Sequence, residues 1–145
     1  MSDIREFGTT RRYRKVIFLS IITLGFYNLF YQWRIFEDLQ DHFDRAFHTE
    51  SRSYPTQNNP TTMFIFMFFF PIYPYYLKYQ MLHKHIDTSN IISPENCLEG
   101  VSALLSFVIL CACTVGIYPI IIESRWQRAF NEHILAHEIS DEPLR

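Results

Sequence analysis

Cys113-Thr-Val-Gly-Ile-Tyr-Pro119 closes an uncharged run of 23 residues, and a close copy and a looser one of it occur earlier. Thr23-Leu-Gly-Phe-Tyr-Asn28 is the close copy and Phe69-Phe-Pro-Ile-Tyr-Pro74 the looser one. Aligned on Tyr27, Tyr73 and Tyr118, the copies lie 46 and 45 residues apart. Each follows an apolar run and precedes an amphipathic charged stretch. Gly25, Pro71 and Gly116 share the position two before the tyrosine, and Thr23 matches Thr114. Arg34 matches Arg125, and His42 matches His133.

Outward from this joint, the charges define three windows. No Asp, Glu, Lys or Arg occurs between Lys15 and Arg34, between Arg52 and Lys78, or between Glu99 and Glu123. The first apolar run, from Val16 to Trp33, would be roughly 27 Å long as a helix, close to the hydrocarbon thickness of a bilayer. The 23 uncharged residues from Gly100 to Ile122 have the usual length of a membrane-spanning helix. Pro71, Pro74 and Pro119 predict kinks, since proline lacks an amide hydrogen and crowds the preceding turn. After each run a helical stripe appears. The stripes are Ile35, Phe36, Leu39, Phe43 and Phe47; then Tyr79, Leu82 and Ile86; then Trp126, Ala129, Phe130 and Ile134.

The expected fold is therefore all-α and integral to a membrane. Three repeated units each carry an apolar, kinked helix, transmembrane or re-entrant, followed by an amphipathic helix. The single domain of residues 1–145 divides into a basic lead-in (1–15), repeat 1 (16–48), repeat 2 (61–87), repeat 3 (100–137) and a polar tail (138–145). Gly25, Tyr27, Pro71, Tyr73, Gly116 and Tyr118 form the repeated joint, and Gly25 and Gly116 are expected to let helices approach closely. Trp33, Tyr79 and Trp126 suit an interfacial belt, with an apolar body and a polar tip. The cluster Arg11, Arg12, Arg14 and Lys15 beside the first run puts the N-terminus on the cytoplasmic side.

These segments resemble a small bacterial membrane-protein family, the domain of unknown function four-two-three-four, built of tandem L-S-I-x-T-x-G-I-Y-G-x-Y-W-x-Y-K segments. Leu19-Ser-Ile-Ile-Thr-Leu-Gly-Phe-Tyr-Asn-Leu-Phe-Tyr-Gln-Trp33 carries the best match, and Leu110-Cys-Ala-Cys-Thr-Val-Gly-Ile-Tyr118 matches its first half. The middle copy departs from it, with Pro71 in place of Gly. The resemblance implies a location in the bacterial inner membrane and transfers no catalytic residues.

Candidate chemistry is sparse. The chain has six histidines. His133 and His137, at i and i+4, share a helical face at a workable metal-ligand spacing. With one such pair and no H-x-x-H-H cluster, the preferred reading is solvated interfacial histidines, with a metal-dependent enzyme as the alternative. Three cysteines give neither a disulfide framework nor a zinc motif. The acidic face Glu37, Asp38, Asp41 and Asp44 reads as solvated. Glu123, at the end of the third run, suggests a transporter or channel component as a further alternative. A formal net charge of -2 gives no reason to expect nucleic acid as a partner. No catalytic site and no cofactor are recognised. The expected function is association, as an accessory, scaffold or oligomer-forming subunit, with the lipid bilayer, a second copy or a membrane protein as partner.

Overall fold

The computed structural model describes residues 3–5, 7–46, 59–89, 91, 97–114 and 117–140. Gly116 of the repeated joint lies outside them, as do Phe47, His48 and residues 141–145 of the tail. The chain starts with a two-stranded antiparallel ribbon, β1 (Asp3–Arg5) and β2 (Gly8–Thr10), with Asp3 opposite Thr10. Among the described residues six helices follow: α1 (Tyr13–Ile22), α2 (Phe26–Ala46), α3 (Pro60–Phe69), α4 (Ile72–Thr88), α5 (Gly100–Cys113) and α6 (Ile117–Ser140).

The repeated joint separates α1 from α2, α3 from α4 and α5 from α6, and each tyrosine of the alignment is the second residue of the later helix. In copy one, α1 ends in a turn that donates from Gly25 N to Ser20 O (2.7 Å) and from Leu24 N to Ile21 O (3.3 Å). Leu24 and Gly25 both take positive φ, 50° and 93°, a region that glycine enters without the Cβ clash. Thr23 works on both sides of the break. Its hydroxyl donates to Leu19 O at 2.8 Å and accepts from Tyr27 N at 2.9 Å. Thr114 repeats this with Leu110 O (2.5 Å) and Tyr118 N (3.0 Å). The Thr-x-Gly-x-Tyr pattern is thus a cap shared by two helices. Copy two, lacking the threonine, uses Pro71 before α4. Pro74 and Pro119 fall in the first turns of α4 and α6, where amide hydrogens have no intrahelical acceptor, so they start helices and do not kink them.

At the joint the chain turns back. Tyr13 packs on Tyr31 across the first break (ring centres 5.7 Å), and Phe66 on Tyr73 across the second (6.1 Å); α5 and α6 pack on each other across the third. This overturns the expected membrane-spanning architecture. The apolar helices α1, α3 and α5 hold 10, 10 and 14 residues, and the remainder of each apolar run begins a long charged helix. Among the described residues no helix is long and apolar enough to cross a membrane. The inner-membrane location and the cytoplasmic N-terminus rested on those spans and are withdrawn with them.

The core inverts what the apolar runs suggest. The stripes of α2, α4 and α6 are the interior: Ile35, Leu39, Leu82, Trp126, Phe130 and Ile134 are all buried. The more hydrophobic α1, α3 and α5 lie outside them, leaving Ile21, Phe68, Phe69, Val108 and Ile109 exposed, and the joints expose Leu24, Phe70 and Ile117. Tyr79 and Trp126, expected as interfacial anchors, are core residues at 1% and 0% exposure. Trp33 is half-buried against Phe30 and Phe64. Among the described residues no heavy atom lies within 4 Å of a Cβ built on Gly25, so its role is the turn and not the close helix approach expected of it. That approach occurs at Gly100, packed against the backbone of Tyr76.

The lead-in is part of the fold. Arg11 N donates to Asn131 Oδ1 (3.0 Å), and Asn131 Nδ2 donates to Arg11 O (2.8 Å). The Arg11 guanidinium pairs with both oxygens of Asp38, so this member of the acidic face is not solvated. Burial raises the Asp38 carboxyl despite Arg11. Glu37 and Asp41 make surface pairs with Arg34 and Arg45.

Candidate metal centre and the polar layer above it

The three long helices run in the same direction, because residues meet in the same order along each. Gln32, Lys78 and Glu123 meet first, and His42, His85 and His133 meet further along. Gln32, Lys78 and Glu123 each lie five residues after the tyrosine of their copy. Equivalent positions of the three repeats therefore converge on one axis.

In this upper layer Lys78 Nζ donates to Glu123 Oε1 (2.6 Å), Glu123 Oε2 (2.7 Å) and Gln32 Oε1 (3.0 Å). All three ammonium hydrogens are used. Tyr79 Oη donates to Glu123 Oε1 at 3.2 Å. Lys78 Nζ also sits 5.5, 5.4 and 5.1 Å from the ring centres of Tyr75, Tyr79 and Trp126. The aromatic rings enclose the chain's own lysine. Burial lowers the Lys78 ammonium despite the attraction of Glu123, because the charge has left water. Beside this layer Tyr31 Oη donates to Gln127 Oε1 at 2.7 Å.

Two to four turns further, His42 of α2, His85 of α4, and His133 and His137 of α6 face one another. All are buried, at 0%, 1%, 0% and 0% exposure, which overturns their reading as solvated interfacial groups. One ring nitrogen from each lies within 4.8 Å of the other three. The Nε2 atoms of His42 and His85 are 3.0 Å apart, and those of His133 and His137 3.2 Å apart. Five of the six ring pairs have centres 4.7 to 5.3 Å apart and planes inclined by 78° to 86°; the sixth, His85 with His137, is at 6.3 Å.

The surroundings orient these rings. His42 Nδ1 lies 2.6 Å from Phe7 O. A carbonyl only accepts, so Nδ1 carries the hydrogen and the neutral ring keeps its lone pair on Nε2, toward the cluster. Phe7 stacks on His137 (5.1 Å), Phe43 packs on His85 (4.7 Å) and Phe130 meets His42 edge-on (5.5 Å). The ribbon closes this end, with Gly8 against Ile134 and His42.

Of the residues singled out by sequence, His133 and His137 come together as the i, i+4 spacing implies. Sequence reasoning missed His42 and His85 as partners. A signal existed for His42, which occupies the same repeat position as His133. His85 has Leu39 and Phe130 at its equivalent positions and gave none. His83, two residues away, turns outward to Cys97 O (Nδ1 at 2.9 Å). Glu123 does not end an apolar span; it pairs with Lys78. Among the cysteines, Cys97 is buried, Cys111 half-buried and Cys113 exposed, and burial pushes the Cys97 thiol up to about 12.

No family model, curated protein or solved structure matches this chain.

Proposed function

We propose that the chain is a metal-binding protein whose four histidines hold one first-row divalent ion, zinc by preference. The observation that carries this is the near-tetrahedral disposition of four inward-facing imidazoles. An ion about 2.0 Å from each nitrogen, with each ring centre about 1 Å beyond it, sets the ring centres roughly 5 Å apart. That is the spacing of five of the six pairs. Neutral imidazole is a donor for borderline ions such as zinc, and zinc has no geometric demand that opposes a tetrahedron. Four protein donors leave no coordination position for substrate, so the role is structural. The ion ties α2, α4 and α6 together where the ribbon covers them.

The test is metal analysis of protein loaded with zinc and passed through a desalting column, beside His42→Ala and His85→Ala. One zinc per chain, lost in both variants, is the expected result. At free zinc 100-fold above its dissociation constant, the folded state gains about 2.7 kcal/mol, a rise of several degrees in Tm. No retained metal, with a Tm indifferent to zinc and chelator, overturns the proposal. Retention of copper or nickel in place of zinc keeps the site and corrects the ion.

A second reading, association with other proteins, is favoured by the apolar surface of α1, α3, α5 and the joints. Leu24, Phe69, Phe70 and Ile117 are exposed at 90%, 73%, 66% and 61%. A second copy or another protein covering this surface is the reading tested by light scattering. Dissociation on Leu24→Asp/Phe70→Asp supports it, and a monomeric parent protein at all concentrations removes self-association. The resemblance to the tandem-segment family rests on the joint motif and contributes no activity.

A further inference from the structure

Between the three hairpins, on the joint side of the Gln32–Lys78–Glu123 layer, lies a cavity of about 630 Å³. Its size falls within the roughly 300 to 1,000 Å³ of small-molecule sites. Val16, Ile17, Met67, Leu104, Phe107 and Val108 form its walls, while Gln32 and Glu123 bring polar atoms to it from the axial layer. Tyr75 also lines it. Its hydroxyl and that of Ser20, another lining residue, are closed off from the hollow, so the polar groups that meet it from the axial layer are those of Gln32 and Glu123.

We infer that this cavity binds a single-chain amphiphile with an uncharged hydroxyl head group, a long-chain alcohol or monoacylglycerol. The aliphatic chain occupies the apolar walls, and the head hydroxyl donates to Glu123. The charge balance selects the head. Lys78 already neutralises Glu123, so a carboxylate head would meet the Glu123 oxygens with no cation left for it. An ammonium head would meet Lys78 with no anion left. The site is distinct from the histidine centre and does not depend on it.

Binding of 1-decanol, decanoate and decylammonium to the purified protein at pH 7.5, followed by calorimetry and native mass spectrometry, tests this. One equivalent of decanol is expected, bound at least about tenfold more tightly than either charged analogue, a difference equivalent to one misplaced polar contact. Leu104→Trp, which fills the cavity, should abolish binding with the circular dichroism spectrum retained. Val108, 59% exposed, lines the same cavity, so Val108→Trp blocks it without disturbing the core and decides the matter if Leu104→Trp does not fold. Decanoate or decylammonium binding as tightly as decanol overturns the inference. So does decanol binding that Val108→Trp leaves unchanged, since the ligand then sits on the exposed apolar surface.

Discussion

Glu123→Gln removes the anion from a cation that is fully buried and keeps the shape of the site. Lys78 Nζ lies 2.6 and 2.7 Å from the two carboxylate oxygens, with side-chain exposures of 0% and 8%. At an effective dielectric of about 20, this attraction is worth roughly 6 kcal/mol. It offsets a desolvation cost of several kcal/mol for each ion. Breaking the pair strands Lys78, and the expected loss of stability is about 3–5 kcal/mol at pH 7. In Lys78→Met/Glu123→Leu no charge remains buried, and Gln32 and Tyr79 lose partners at about 1–3 kcal/mol. The double variant is therefore less destabilised than the sum of Lys78→Met and Glu123→Leu by at least about 2 kcal/mol. The pH dependence carries an independent sign. Lys78 in the fold is held below its usual range, and removing Glu123 lowers it further. Between that value and about 10.4, where the unfolded chain releases the proton, the unfolded state binds more protons. Stability then rises with pH, by up to about 1.4 kcal/mol per unit. Urea denaturation followed by circular dichroism from pH 7 to 9.5 should show the deficit of Glu123→Gln, relative to the parent protein, shrinking as pH rises. Strict additivity of the two single changes, or a deficit constant across this range, would refute the buried-pair account.

Leu24→Gly is expected to stabilise the protein by about 1 kcal/mol, read as a rise in denaturation midpoint. Leu24 holds φ at 50° with its side chain 90% exposed, so glycine relieves the left-handed strain of about 1–3 kcal/mol at an entropic cost of about 0.5–1 kcal/mol. With a disulfide reagent at pH 8, Cys113 should react rapidly and Cys97 only at the global unfolding rate, because the Cys97 thiol is buried and pushed up to about 12; equal rates would contradict the packing of α4 on residue 97. Tyr31→Phe leaves Gln127 Oε1 without its 2.7 Å donor in the interior and should cost about 1–3 kcal/mol by thermal denaturation. Gly8→Ala places a methyl 3.1 Å from Ile134 Cδ1 and 3.5 Å from His42 Cβ at a φ of 149°, and should weaken zinc retention by displacing the ribbon that orients His42.

The repeat, the helical class and the apolar stripes were legible in the sequence because they are periodic. The 3.6-residue pattern puts Leu39, Leu82 and Phe130 on one face of each charged helix, but that these faces form the interior, and that the three tyrosines sit at helix starts, appears only in the fold. What each apolar run does was not legible from its length. A charge-free run of 23 residues reads as one helix unless the shared threonine cap is recognised, and a single Thr-x-Gly-x-Tyr gives little reason to place a left-handed turn there. The same length argument led to Trp126 being assigned to an interface, although it lies at the centre of three helices. The histidine centre was half legible. His133 and His137 are local neighbours, whereas His42 and His85 reach them only through the parallel alignment of α2, α4 and α6, a tertiary fact. The ribbon over residues 3–10 carries no alternating apolar pattern and owes its placement to Phe7 and to the clasp of Arg11 with Asn131.

The convergence of Gln32, Lys78 and Glu123 on one axis bears on why the three hairpins are joined in a single chain. Three separate identical hairpins would form a cyclic trimer, and a symmetric trimer must present the same side chain three times at its axis. Three lysines or three glutamates there would face like charges in the interior with nothing to neutralise them. Tandem fusion removes that constraint. One copy supplies a neutral amide, the next a cation and the third an anion, and the layer closes its own hydrogen bonds. The same freedom lets the second copy place histidine where its siblings keep Leu39 and Phe130, which turns three near-equivalent helices into a four-donor set that no exact threefold could build.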